Sequence, residues 1–234
     1  PMRRLLALLI VLVTLAGCAA PPVAPPVAPD VAPDVRARAE AAVQRFASVA
    51  GAVEPVAERE CRALRPRGAC DFRILVDTRP DLPPNAYQTV DRRGRPIVAF
   101  TVPLVAQVRN ADELAFIMSH EVAHHLLGHI ERTRADAEIG ALTLGRLVTV
   151  SGGDRRAVQS AADLGALLGA RRYAKDYELE ADALGTIIAA RAGYDPVRGA
   201  RFFERIPDPG DRFLGTHPPN AARMELVRRV AATL

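Results

Sequence analysis

The sequence has no tryptophan, and aromatic residues supply only 5% of its 234 positions. No basic tract is interleaved with aromatics, which excludes the usual face for nucleic acid. Charge is nearly balanced, with 31 Lys and Arg against 27 Asp and Glu, and the arginines are spread along the chain as on a solvated surface. Three cysteines occur, none in a C-x-x-C spacing, so the common redox and zinc-ribbon signatures are missing. The apolar stretches Ile139 to Val150 and Ala161 to Ala170 are too short to span a bilayer. What remains is an ordinary globular composition, 49% hydrophobic and 25% charged, long enough for a leader and one domain with a real core.

The leader is Met2-Arg3-Arg4 followed by the apolar run Leu5 to Leu15. It ends in Leu15-Ala16-Gly17-Cys18, which resembles the bacterial lipobox, so residues 1–17 read as a lipoprotein signal peptide and Cys18 as the lipidated residue. Ala19 after the cysteine implies, by resemblance to Gram-negative lipoproteins, an outer-membrane anchor facing the periplasm. Residues 18–34, rich in Pro, Ala and Val, read as a semi-rigid tether, and 35–234 as the folded domain. Setting Cys18 aside leaves Cys61 and Cys70, an even remainder expected to form a disulfide in an exported protein.

Val35 to about Leu64 has helical period, interrupted at Pro55, where a kink or split is expected. Phe72 to Val76, Asn85 to Val90 and Pro96 to Val102 read as strands. Proline at both ends of the third suggests an edge position, where an extended peptide could add as a further strand at 96–102. Ala111 to about Ile130 reads as one helix, with Asn110 as its cap. A helical hairpin over 139–170 is expected near the site as core packing or a lid. A helix over Arg171 to Gly193 and a last one over Ala221 to Ala232 complete an α+β domain, mostly helical with a small antiparallel sheet beside the 111–130 helix.

That helix carries His120-Glu121-Val122-Ala123-His124. Residues four apart on a helix project toward one point, so two imidazoles converge there. Glu121 sits one step round, within reach of a water held at that point. This is H-E-x-x-H, the pattern of a zinc hydrolase with glutamate as general base. Catalytic zinc takes three protein ligands and keeps one position open. Leu127 and Ile130 stand where a longer H-E-x-x-H-x-x-G-x-x-H motif has Gly and His, so the third ligand comes from elsewhere. His125 and His129 lie off the ligand face and read as structural or exposed. Glu178 and Asp182 share a face of a later helix, from which Glu180 points away toward solvent.

Three motifs stand in order: His120 to His124, Glu178-Leu179-Glu180-Ala181-Asp182, and Thr216-His217-Pro218 followed by Arg223. Across roughly Cys70 to Arg223 the chain resembles the HtpX/CAAX-prenyl-protease family of zinc metallopeptidases (gluzincins), in particular its periplasmic lipoprotein members. The resemblance implies one Zn2+ per chain, a zincin-type domain, Glu178 as third metal ligand, and Asp182 orienting a ligating imidazole. It also places His217 and Arg223 in an active-site loop, where either could stabilise an oxyanion and His217 could instead be a latent fourth ligand. The expected function is a lipid-anchored zinc metalloendopeptidase acting on misfolded or unassembled envelope proteins. The rival readings are a zinc-stabilised binding or chaperone module for outer-membrane assembly with little proteolysis, and a redox lipoprotein using Cys61 and Cys70.

Overall fold

The computed structural model describes residues 32–210 and 215–234. The lipobox, Cys18 and most of the tether lie outside these residues. The chain runs α1 (Pro33–Leu64), β1 (Arg73–Asp77), β2 (Ala86–Val90), β3 (Pro96–Thr101), α2 (Val102–Gln107), α3 (Ala111–Leu126), α4 (His129–Val150), α5 (Arg155–Arg172), α6 (Ala174–Arg191), α7 (Pro196–Ala200), a 3-10 turn (Arg201–Glu204) and α8 (Asn220–Ala231). This is the mostly helical α+β architecture that the periodicities imply. The helix begins at Pro33, so the last two residues assigned to the tether belong to it.

The sheet departs from the expected arrangement. Its order is β1-β3-β2, with β3 parallel to β1 and antiparallel to β2. The sheet is therefore mixed, and 96–102 is not an edge: β3 is paired on both sides. Five of its six residues are buried, a continuous apolar pattern that suits a central strand. Pro96 is compatible with this place because it stands at the first residue of the strand, where a missing N–H costs a central strand little. The free edges are β1 and β2.

α1 is a single element through Pro55. Pro55 and Gly51, whose carbonyl loses its intrahelical donor, are both exposed, so water can satisfy that carbonyl. The buried side carries Val49, Val53, Val56, Ala57 and Cys61 against Phe72, Val98 and Phe100 of the sheet region. Cys61 and Cys70 are joined in a disulfide.

α3 runs through the middle of this core. Leu114, Ala115, Phe116, Met118, Val122 and Ala123 are all essentially inaccessible. Asn110 caps it, its side-chain oxygen accepting from the Glu113 N–H at 3.0 Å. Glu113 reaches back to accept from the Arg109 N–H at 2.8 Å and takes a bidentate contact from Arg205 at 2.6 and 2.7 Å. The helix stops earlier than its sequence pattern indicates, at Leu126, because Gly128 adopts a left-handed conformation (φ 69°) and redirects the chain into α4.

The buried Glu113–Arg205 pair makes stability pH-dependent. Burial pushes the Glu113 carboxyl up, but Arg205 and the Arg109 N–H outweigh it and hold the group below its ordinary 4.5. A depressed folded value means the contribution is complete above the unfolded value and is lost as pH falls through the folded one. Glu113→Gln is expected to cost about 2 kcal/mol at pH 7. In denaturant melts the gap to the parent protein should narrow on acidification below pH 4.5. A gap that stays constant with pH would contradict the assignment.

α4 and α5 form a close hairpin. A Cβ on Gly140 would stand 2.0 Å from the Gly165 carbonyl oxygen, so neither position admits a side chain at this spacing. The helical hairpin expected over 139–170 is present, but its outer apolar side chains are not core. Ile139, Leu142, Leu147, Val150, Leu164 and Leu167 are exposed, and none of these residues lines the cavity described below. Among the described residues, no helix is long and apolar enough to cross a membrane.

Candidate metal centre

His120 and His124 share one face of α3, and Glu178 approaches from α6. The two helices pack closely at Gly185, where a Cβ would lie 3.0 Å from the backbone N and Cα of His120. His120 Nε2 is 3.0 Å from His124 Nε2, His124 Nε2 is 3.3 Å from Glu178 Oε1, and His120 Nε2 is 3.6 Å from Glu178 Oε2. A tetrahedral ion with ligand bonds of about 2.0–2.1 Å holds its donors about 3.3 Å apart. The spacing therefore fits a metal ion. So does the chemistry, two imidazole nitrogens and one carboxylate with all donor atoms within 4.8 Å of one another.

The tautomer of His120 is set from behind. Asp182 is fully buried, and its Oδ1 lies 2.9 Å from His120 Nδ1, so the proton resides there and the Nε2 lone pair faces the site. Arg223 in turn donates to both oxygens of Asp182, from Nε and Nη2, each at 2.7 Å. Burial pushes the Asp182 carboxyl up, and Arg223 and His120 more than reverse this. The same balance holds at Glu178: burial opposes its charge, while His124, His217, His120 and Arg223 keep its carboxyl well below the usual range. His217 is half-exposed and donates from Nδ1 to Glu178 Oε2 at 3.0 Å.

Glu121 faces an open cavity of about 700 Å³ together with His120, His124, Glu178, His217 and Arg223. One wall is the β2 edge, through Tyr87 and Gln88. Another is apolar, with Phe116, Phe202 and Ile206. Tyr177 does not reach the cavity; it packs, donating its hydroxyl to Asp136 at 2.6 Å.

Two residues set aside on the sequence pattern lie directly behind the site. His129 is buried, with Nδ1 2.7 Å from Nδ1 of His124 and Nε2 3.1 Å from Glu180 Oε2. Burial holds the His129 ring down to about 4, so it is neutral at pH 7. Glu180 is not a free surface charge, because Arg132 also pairs with it. On an unbroken helix, five residues would carry His129 well off the His124 face; the left-handed Gly128 re-aims it. His125 is buried elsewhere, its Nε2 3.2 Å from the Ala69 carbonyl beside the disulfide.

The family profile of peptidase family M48 matches residues 44–231. The chain belongs to this family. The chain is 31% identical over 129 residues to the putative beta-barrel assembly-enhancing protease of Vibrio cholerae, covering 52% of this chain and 26% of that one. It is 29% identical over 137 residues to the beta-barrel assembly-enhancing protease of Escherichia coli K12, covering 52% and 28%. It is 28% identical over 165 residues to the mitochondrial metalloendopeptidase OMA1 of Saccharomyces cerevisiae, covering 66% and 45%. The chain thus spans about a quarter of the bacterial relatives and under half of the yeast one. A His-His-Glu donor set able to hold a metal ion thus stands in a chain of peptidase family M48.

Proposed function

We propose that this chain is a zinc-dependent endopeptidase of the bacterial envelope, lipid-anchored at Cys18 to the outer membrane, that cleaves misfolded or unassembled envelope proteins. The observation that carries the proposal is a three-donor cluster with a carboxylate, Glu121, beside it on the wall of an open cavity. The names of the bacterial relatives support the envelope assignment.

His120, His124 and Glu178 would hold the metal. A zinc ion held there would supply Lewis acidity to a water molecule and to a peptide carbonyl. Glu121, on the wall of the same cavity, is the base for an attacking water and returns the proton to the leaving amine. His217, half-exposed on the cavity wall, is the group placed to meet charge developing on the carbonyl oxygen, or to close the site as a fourth ligand. Arg223 is spent on Asp182, and we assign it to bracing the His120–Asp182 contact instead of to the oxyanion. The edge available to an extended substrate is β2, since β3 is interior, so a peptide would add along Ala86–Val90.

Metal analysis of the mature protein should find one zinc per chain. Casein digestion should stop on chelation and return on zinc addition, and digestion that continues undiminished in chelator would refute the proposal.

A further inference from the structure

Resting on the metallopeptidase reading, we propose that His129 and Glu180 are positioning residues for the metal, fixing the tautomer and aim of His124 as Asp182 and Arg223 do for His120. Each imidazole of the donor set then has its own backing chain: both carboxylates stand on α6, while His129 comes from α4 and Arg223 from α8.

The argument is one of proton bookkeeping along a line of contacts. His124 can offer a lone pair from Nε2 only if its proton sits on Nδ1. That Nδ1 faces His129 Nδ1 at 2.7 Å, and two ring nitrogens this close require one donor and one acceptor. His129 Nδ1 is therefore the acceptor, and its own proton lies on Nε2. That N–H points at Glu180 Oε2, 3.1 Å away, which as a carboxylate can only accept. Read from Glu180 inward, the chain admits one arrangement of protons, and it leaves the His124 lone pair facing Glu178 and His120.

The supports of this chain are equally specific. Arg132 pairs with Glu180 and lies over the Tyr177 ring at 4.1 Å, while that ring stacks on His129 with centroids 4.8 Å apart and planes 14° from parallel. The His129 ring is thus clamped face-on by Tyr177 and edge-on by His124, whose centroid is 4.9 Å away at 72°.

Zinc affinity of the full chain is measured by competition with a chromophoric chelator, with cobalt(II) absorption as a report on donor geometry. His129→Phe keeps a stackable ring but offers no acceptor. Loss of such an outer contact costs roughly 10- to 100-fold in metal affinity. That loss is the expected result, together with an altered cobalt spectrum. His129→Gln restores an oxygen acceptor for the His124 N–H and should recover most of the affinity. Tyr177→Phe keeps the stacking ring and should bind zinc as the parent does. If His129→Phe does not fold, Glu180→Ala takes its place and should also weaken binding. Parental affinity and spectrum in the Phe variant (or in Glu180→Ala if that variant replaces it) would overturn the inference, whatever happens to thermal stability; so would equal weakening in the Gln variant. A parent protein that binds no zinc would overturn this inference and the proposed function together, whereas a zinc-binding parent with unaffected variants would overturn this inference alone.

Discussion

Glu121→Gln should retain its zinc and lose casein cleavage by about a thousandfold, the middle of the range for removing a general base. The substitution keeps the length and shape of the side chain and removes only its ability to accept a proton. Glu121 is not one of the three converging donors, so metal content has no reason to change. It lines the same cavity as the donors and the apolar wall, where a bound peptide and the attacking water must both lie. Initial rates with the metal content measured on the same sample provide the check. Cleavage equal to the parent's would remove Glu121 from the mechanism as general base.

The second large effect is expected from Arg223→Ala, and it is chiefly one of stability. Asp182 is completely buried and Glu178 nearly so. Arg223 neutralises the first through two short hydrogen bonds, stands 3.5 Å from the second, and lies over the Phe203 ring at 4.0 Å. Removing it strands buried negative charge, which costs about 3–5 kcal/mol. Denaturant melts of the metal-free protein should show this loss, and saturating zinc should recover part of it, since a bound cation offsets the same carboxylates. Arg223→Lys should rescue poorly, because an ammonium cannot span both oxygens of Asp182 as a guanidinium does. Unchanged stability with a reduced turnover would instead return Arg223 to the role of a transition-state contact.

These predictions differ in how far each could be reached from the sequence. The pairing of His120 with His124 and the placing of Glu121 beside them follow from a period of 3.6 residues acting over five positions. Nothing distant can alter that once the helix forms. Glu178 and Asp182 lie more than fifty residues away, and their place rested on a resemblance to a family motif, which the family match supports. His129 shows the opposite case. Its wheel position pointed away from the site, and one left-handed glycine between two helices reversed that direction. Strand order is likewise set at a distance: proline at a strand's first residue is compatible with an edge or a centre, and β3 lies between β1 and β2 because of where it buries its side chains.

By itself, then, the sequence determined what depends on near neighbours: the helical stretches, the cap at Asn110, the two-imidazole motif and its general base. Tertiary structure alone decided the strand order, the commitment of Arg223 to Asp182, and the second chain of contacts behind His124. The division has a physical cause. Helical period and capping act over one or two turns, whereas strand order and the partners of a buried charge depend on which distant surfaces exclude water together.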